Sequence, residues 1–404
     1  GGTPAQADVA RAVRAEIQHP GEAGQLFDPT RAVDAGPAGD WRVATASSIR
    51  WDGGWLALLG LALLAGVWVG CVRRWPGRRT ALFRGAAIAA GPALLVGLEA
   101  VLSVADVPQP QGLLDRLSLT RDHVISYTER DLGGVPHVVT VSRQIRSQAF
   151  TASKPKGALR VVTLGESSAH ASNYLLEEGF SSRLGGHLQA ALPDRRIEMI
   201  HGGIGGALSA RIAQLADETL PYAPDLFVLY FGNNDLNFLP QLVEFDGFDL
   251  DSLAWRTRVG RTRILGWPAQ LLRGEPTDSF GDGTARGEPL SEAEADRVRA
   301  FAHKEVVRNM TRIVRRARSA GADAIIVVQG PWAPLRAVAE DAARQTGTVL
   351  VDGAGAIQAH AEAAGVPGGP NSAYYYDDIH PTRLGHAILA QAIAPSAVES
   401  LTVR

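Results

Sequence analysis

The chain has 404 residues, of which 46% are hydrophobic and 20% are charged, and its formal net charge is −2 at pH 7. This composition excludes an intrinsically disordered chain, and the near-neutral charge excludes a global basic field that would attract nucleic acid. The single cysteine, Cys71, excludes an internal disulfide framework and a zinc site made of cysteines.

Residues 1–52 form an N-terminal segment to which we assign no role. One short amphipathic helix is predicted within it, in the sequence ADVARAVRAEI, and a loop rich in glycine and proline follows. The chain is longer than one ordinary domain, so we expect further segments besides one large domain.

Two apolar runs predict two transmembrane helices. Residues 53–72, GGWLALLGLALLAGVWVGCV, are twenty consecutive uncharged residues, which matches the thickness of the hydrocarbon core of a bilayer. A buried core helix is the alternative, but such a helix is rarely this long and apolar on every face. The second run, residues 85–105, contains Pro92 and Glu99 and is long enough for a second crossing.

Arginines between the two runs predict the orientation of this membrane anchor. They are Arg73, Arg74, Arg78, Arg79 and Arg84. Positively charged short loops stay in the cytoplasm, so two crossings place everything after Ala105 on the far side. We therefore expect a protein of the bacterial inner membrane with an extracytoplasmic large domain; without the second crossing, that domain would be cytoplasmic.

The sequence pattern changes at residue 159. Residues 106–158 are predicted to be a connector with a few strands, whereas residues 159–404 alternate apolar strands with helices. The strand candidates are LRVVTL, RIEMIH, DLFVLYF, ADAIIVVQ and TVLVD. This alternation predicts an α/β domain whose parallel sheet is covered by helices on both faces. Residues 240–290 break the pattern and are predicted to form an insertion over one edge of the sheet.

Four blocks of unusual residues follow the predicted strands or precede the last helix. They are GESS (165–168), HGGIGG (201–206), GNND (232–235) and YYYDDIHPT (374–382). Each block alone is explained by a helix cap, a tight turn or a helix start. Ligands of parallel sheets bind beyond the carboxyl ends of the strands, so four such blocks in this order indicate an active site.

The residues in these blocks have a coherent chemistry. The hydroxyl of Ser167 becomes a nucleophile when a base accepts its proton, and His380 can do so while Asp377 fixes the imidazole tautomer. The backbone N–H groups of Ser167 and Gly206 and the side-chain amide of Asn234 can donate to the oxyanion of a tetrahedral intermediate.

These blocks resemble the SGNH (GDSL-type) hydrolase family, which is named for a serine, a glycine, an asparagine and a histidine in separate blocks. The resemblance covers about residues 159–404 and implies a flavodoxin-like three-layer α/β/α fold with a central parallel sheet. It implies Ser167 as the nucleophile, Gly206 and Asn234 as oxyanion donors, and Asp377 and His380 as the acidic residue and the base. It also implies esterase, lipase, carbohydrate deacetylase or acyltransferase activity without a metal or an organic cofactor. The lead-in RSQAFTASKPKGALRVVTLGESS resembles bacterial membrane-linked members.

Two positions depart from the family pattern. Glu166 replaces the commoner aspartate, and His201 stands where an asparagine is common. Neither position has a primary catalytic role, so we expect altered support around the site and not a loss of activity. Ala169 follows Ser168, so the Gly-x-Ser-x-Gly elbow of the α/β-hydrolases is missing.

Some local roles stay open at this stage. Ser168 is predicted to support or cap the turn after the first strand. For His170, Trp332 and the tyrosines at 374–376, we keep both the wall of a binding pocket and ordinary packing as interpretations.

We therefore expect a membrane-anchored serine esterase or deacylase that acts on acyl esters, for example O-acyl groups on glycans or lipids, and that binds no nucleic acid. An O-acyltransferase is an alternative, because it needs the same triad and oxyanion donors. A noncatalytic membrane-tethered binding module with the same fold is the alternative from another class. The presence of Ser167, Asp377 and His380 disfavours it.

Overall fold

The computed structural model describes residues 78–105, 126–132, 134–142, 144–246, 250–265 and 289–402. The chain divides into two compact units, one containing the described residues from 126 to 255 and from 289 to 402, and the other containing residues 78–105 and 256–265.

The larger unit contains a five-stranded parallel sheet. Its strands are β4 (Ala158–Gly165), β5 (Arg196–Gly203), β6 (Leu226–Tyr230), β7 (Asp323–Val327) and β8 (Val349–Val351), in the spatial order β5-β4-β6-β7-β8. This order is that of flavodoxin-like sheets, in which the second strand in the chain lies outside the first. The predicted fold class is thereby confirmed for this unit.

Helices cover both faces of the sheet. The helices of the larger unit are α2 (Ser167–His170), α3 (Phe180–Ala191), α4 (Ser209–Thr219), α5 (Asn233–Asp246), α6 (Leu250–Gly260, which ends beyond it), α7 (Glu292–Ser319), α8 (Ala333–Thr346), α9 (Gly353–Ala364) and α10 (Arg383–Thr402). Successive side chains of a strand point to opposite faces. Accordingly, Val162 and Leu164 lie in the core with α4, α7 and α8, whereas Leu159 and Val161 lie in the core with α3, α9 and α10.

A small antiparallel sheet precedes the parallel one. Its strands are β1 (Tyr127–Leu132), β2 (Val135–Thr140) and β3 (Ala149–Thr151), with Val138 opposite Phe150. Val138, Ile145 and Phe150 are buried in the same hydrophobic cluster as Val162 of β4. The strands expected in the connector therefore contribute to the core of the larger unit.

The smaller unit contains helix α1 (Arg78–Val104). In this unit Glu99 accepts hydrogen bonds from the backbone N–H of Arg263 at 2.8 Å and from its guanidinium at 3.0 Å. The predicted insertion at 240–290 is described only in part: it contains the end of α5 and all of α6, whereas residues 247–249 and 266–288 lie outside the described residues.

The structure does not support the expectation of two transmembrane helices. The first predicted span, residues 53–72, lies outside the described residues. The second, residues 85–105, falls almost entirely within α1, and none of the helices searched in the described part of the chain is long and apolar enough to cross a membrane.

Candidate active site

The four sequence blocks come together at the carboxyl edge of the parallel sheet. Ser167 opens α2 two residues after β4, and Gly206 lies in the turn after β5. Asn234 is in the first turn of α5, which follows β6, and His380 lies in the loop before α10. These four residues therefore lie at the edge of the sheet that the strand order predicted.

A continuous chain of hydrogen bonds joins the three residues predicted as a triad. The Oγ atom of Ser167 lies 2.6 Å from Nε2 of His380, and Nδ1 of His380 lies 2.7 Å from Oδ2 of Asp377. A carboxylate only accepts, so it fixes the imidazole proton on Nδ1 and leaves Nε2 free to accept the proton of Ser167. The arrangement can therefore activate the serine hydroxyl.

Asp377 is held in place by its own loop. Its Oδ1 atom accepts the backbone N–H groups of Ile379 at 2.9 Å and of His380 at 2.8 Å. Partial burial works to raise the pKa of Asp377, but these two bonds and the nearby imidazole outweigh it and hold the pKa below its ordinary value. The carboxyl is thus ionised and oriented toward Nδ1, whereas the adjacent Asp378 is exposed.

The turn that carries Ser167 is tight and needs a glycine beside it. A Cβ atom at Gly203 would overlap the backbone of His170, so the second glycine of the HGGIGG block permits β5 to approach this turn. Ser168 is buried, and its hydroxyl donates to the carbonyl of Ile379 at 3.3 Å. This bond links the turn of Ser167 to the loop of His380.

The second and third candidate oxyanion donors, Asn234 and Gly206, lie in neighbouring turns. The side-chain amide of Asn234, which is buried, donates to the carbonyl of Ala207 at 2.8 Å, directly after Gly206. An asparagine amide has two N–H groups, and this bond uses one of them. Gly206 has a φ of +70°, in the left-handed region that favours glycine.

Glu166 holds the backbone of the turn at residues 232–234, which carries Asn234. Its Oε1 atom accepts the backbone N–H groups of Gly232 at 2.9 Å and of Asn234 at 3.1 Å, and Oε2 accepts the amide of Gln329 at 3.1 Å. Complete burial, and then the nearby carboxyl of Asp235, raise the pKa of Glu166 to about 8 even though the three hydrogen bonds lower it.

Gln329 is a functional candidate that sequence reasoning did not find. Its amide bridges Glu166 and the first turn of α5, because its Oε1 atom accepts the backbone N–H of Asn233 at 3.1 Å. Its position in the sequence could have indicated a role in the site, because Gln329 is the polar residue that ends the apolar run ADAIIVVQ at the same edge of the sheet.

A second buried carboxyl ties α5 to α4. Asp235 accepts both the backbone N–H and the hydroxyl of Ser209, each at 2.7 Å, and Asn309 of α7 donates to that hydroxyl at 2.8 Å. Burial raises the pKa of Asp235 to about 7, although the bonds from Ser209 lower it. This network fixes the first turn of α5, which carries Asn234.

The remaining residues singled out in the sequence surround this centre. His201 bonds through Nδ1 to the hydroxyl of Ser181 at 2.6 Å, and burial lowers its pKa to about 4, so it is neutral at pH 7. Burial likewise lowers the pKa of His170 to about 4. Trp332 is partly buried against the hydrophobic core. Among the tyrosines at 374–376, the first two are buried and the last is 54% exposed.

The described residues contain no group of three or more histidine, cysteine, aspartate or glutamate side chains that could hold a metal ion. The candidate chemistry at this edge is that of a hydroxyl, an imidazole, a carboxylate and amide donors.

The comparison with known families gives one match. The profile of the GDSL-like Lipase/Acylhydrolase family matches residues 163–388, which is more than half of the chain and contains all four blocks. No curated protein sequence matches this chain.

Several solved structures share low sequence identity with the chain. They include an alpha/beta hydrolase enzyme from the metagenome of Lake Arreo, Spain (18% identity, 60% of this chain and 97% of that one, TM-score 0.38). Others are an acetyl xylan esterase from Geobacillus stearothermophilus (17%, 59% and 94%, TM-score 0.37) and a lipase/acylhydrolase from Enterococcus faecalis (14%, 60% and 96%, TM-score 0.34). Because the family profile spans the whole region from Ser167 to His380, the chain belongs to the GDSL-like lipase/acylhydrolase family and is an SGNH-type serine hydrolase.

Proposed function

We propose that the protein is a serine esterase or deacylase that works through an acyl-enzyme on Ser167. The observation that carries this proposal is the pair of hydrogen bonds from Ser167 to His380 (2.6 Å) and from His380 to Asp377 (2.7 Å). Both bonds are within the reach that general-base catalysis requires.

In the first half-reaction, Oγ of Ser167 attacks the acyl carbonyl while Nε2 of His380 accepts the hydroxyl proton. The imidazolium that forms is stabilised by the ionised carboxyl of Asp377. As the tetrahedral intermediate collapses, the ester C–O bond breaks, and the alcohol leaves with the proton from His380. In the second half-reaction, His380 takes a proton from water, the water oxygen attacks the acyl group, and the carboxylic acid leaves as Ser167 regains its proton.

The developing oxyanion is stabilised by three donors in this proposal. They are the backbone N–H groups of Ser167 and Gly206 and the remaining side-chain N–H of Asn234. The bond from Asn234 to the carbonyl of Ala207 supports this assignment, because it holds the amide beside the Gly206 turn (2.8 Å).

For the substrate we propose an O-acyl group carried by a glycan. The triad stands near the surface, since the side chain of Asp377 is 42% exposed and that of His380 is 26% exposed, so an acyl group on a large alcohol can approach it. Tyr376, directly before Asp377, is 54% exposed and offers an aromatic face to a sugar ring.

The test is labelling of Ser167 by a fluorophosphonate, together with hydrolysis of short acyl esters and acetylated glycans. The variant Ser167→Ala should lose both labelling and hydrolysis and keep its fold. The control Ser319→Ala removes an exposed serine at the end of α7 and should leave both unchanged. Full activity in Ser167→Ala would contradict the proposal. Transfer of the acyl group to a glycan with little free acid released would identify an acyltransferase instead.

We also propose that residues 53–72 anchor the chain in a membrane. The uncharged run at 53–72 and the arginines that follow it support this proposal. Extraction of cell membranes with alkaline carbonate tests the anchor. Release of the full chain into the supernatant would contradict it, and protease accessibility in intact cells tests the orientation.

A further inference from the structure

A short segment outside the family match reaches the candidate active site. Residues 144–151 precede the matched region, which begins at residue 163, and they contain none of the four blocks. Two side chains of this segment nevertheless bond to main-chain atoms near the site: Arg146 to the turn that follows Ser167, and Gln148 to the strand that leads to Gly206.

Arg146 holds the turn that follows the nucleophile. Its Nε atom donates to the carbonyl of His170 at 3.1 Å, and its Nη2 atom donates to the carbonyls of Ala171 at 2.6 Å and Tyr174 at 2.7 Å. Ala171 has a φ of +51°, a left-handed conformation that a residue with a Cβ rarely adopts. A planar guanidinium can donate to several carbonyls at once, so Arg146 stabilises a turn that is otherwise unfavourable.

The other end of this turn is bonded to Ser167 itself. The backbone N–H of Ser172 donates to the carbonyl of Ser167 at 3.2 Å, and the Ser172 hydroxyl donates to the same carbonyl at 3.1 Å. Release of the carbonyls held by Arg146 would therefore free the segment that positions the Ser167 backbone.

Gln148 holds the strand that leads to the glycine turn. Its Nε2 atom donates to the carbonyl of His201 at 2.7 Å, and its Oε1 atom accepts the backbone N–H of His201 at 2.8 Å. This pair of bonds replaces those of a neighbouring strand, because β5 is the edge strand of the parallel sheet. His201 opens the block that ends at Gly206.

The small antiparallel sheet anchors both side chains. The hydroxyl of Thr140 on β2 lies 3.3 Å from the carbonyls of Arg146 and Gln148 and accepts the backbone N–H of Gln148 at 3.2 Å. Ile145 and Phe150 on either side are buried in the core. Arg146 and Gln148 are two residues apart, a spacing that puts side chains of an extended backbone on one face.

We propose that Arg146 and Gln148 are positioning residues, which hold the nucleophile turn and the glycine turn in register, so that the small sheet is part of the catalytic apparatus. This inference rests on the proposed role of Ser167. At the site the two side chains bond to main-chain atoms, and Gln148 also bonds to the hydroxyl of Tyr127 at 3.5 Å, away from the triad, so neither residue takes part in proton transfer. Their loss should therefore slow acylation without weakening the binding of substrate.

The test compares the wild type with Arg146→Ala and Gln148→Ala in the full chain. We expect the rate constant for fluorophosphonate labelling of Ser167 and kcat for a short acyl ester to fall about 10- to 100-fold in Arg146→Ala, as small displacements of reacting groups do. KM should stay within about twofold. The controls Arg344→Ala and Gln358→Ala remove exposed side chains on α8 and α9 and should match the wild type.

Three outcomes would overturn the inference. The first is a labelling rate within twofold of the wild type in folded Arg146→Ala. The second is a labelling rate equal to that of the wild type in Arg146→Lys. An ammonium keeps the positive charge but cannot donate to all three carbonyls, so this variant should also be slow. It replaces Arg146→Ala in the test if that variant does not fold. The third is a shifted inflection in the pH profile of kcat/KM, which would assign Arg146 an electrostatic role. Absence of labelling in the wild type would instead contradict the proposed function.

Discussion

The buried carboxylate of Glu166 allows a sharp prediction about the support of the site. It accepts N–H groups from Gly232, Asn234 and Gln329, and Gln329 in turn accepts the backbone N–H of Asn233. In the variant Glu166→Gln, one carboxylate oxygen becomes an NH₂ group that faces the NH₂ group of Gln329. These two groups are both donors and cannot bond to each other. Rotating the Gln329 amide by about 180° places its oxygen toward residue 166 but turns its NH₂ group toward the N–H of Asn233, which is also a donor.

Either orientation leaves one pair of donors without an acceptor in a fully buried site. An unsatisfied buried donor costs about 1–3 kcal/mol, so Glu166→Gln should lower the free energy of unfolding by about that amount. The exchange Glu166→Gln with Gln329→Glu restores the pairing, because an amide at 166 can donate to a carboxylate at 329 that also accepts the Asn233 N–H. The double variant should therefore recover most of the lost stability.

The assay is urea unfolding of the wild type, the two single variants and the double variant at pH 6, below the pKa of about 8 of Glu166. At this pH the variant Glu166→Gln does not also remove a buried charge, and the wild-type carboxyl keeps a lone pair toward the Gln329 amide that an NH₂ group lacks. The control Glu340→Gln changes a half-exposed carboxyl on α8 and should stay within about 0.5 kcal/mol of the wild type. A Glu166→Gln variant as stable as the wild type would refute the reasoning. The reasoning would also fail if the double variant lost as much free energy of unfolding as the two single variants together, since the effects of two contacting residues should not be additive.

Three further predictions concern the triad, the oxyanion donor and pH. Asp377→Asn should lower kcat about 10³- to 10⁴-fold. The oxygen of the new amide stays with the backbone donors, so its NH₂ group faces Nδ1 of His380 and moves the imidazole proton to Nε2, which can then no longer accept the proton of Ser167. A tenfold loss or less would contradict this. Asn234→Ala should lower kcat for short acyl esters about 10²- to 10³-fold, and an unchanged kcat would remove its amide from the oxyanion site. Burial raises the pKa of Glu166 to about 8 and of Asp235 to about 7. Folded carboxyls with raised pKa values bind more protons than unfolded ones, so the contribution of this pair to the free energy of unfolding should fall between about pH 5 and 9. Calorimetry over this range should show that fall in the wild type and a smaller one in Glu166→Gln; equal profiles would count against it.

The fold class and the place of the site could be predicted because their signals are local. Runs such as DLFVLYF between helical stretches indicate a parallel sheet, and the four blocks follow strand ends or precede the last helix. Asp377 and His380 are three residues apart, so one loop presents both, as the 2.7 Å contact shows. The expectation of two transmembrane helices came from hydropathy alone and is not supported in the described residues.

The sequence by itself therefore determined the sheet, the order of the blocks and the candidate triad. Only the tertiary structure decided what supports them: the three carbonyls bonded by Arg146, the edge pairing by Gln148, and the bridge from Gln329 to Glu166. The physical reason is the separation along the chain of the residues involved. Hydrophobic periodicity and turn chemistry act over a few residues, whereas these polar contacts join segments 24 to 163 residues apart. Their partners are main-chain atoms or buried amides that leave no pattern of their own in the sequence.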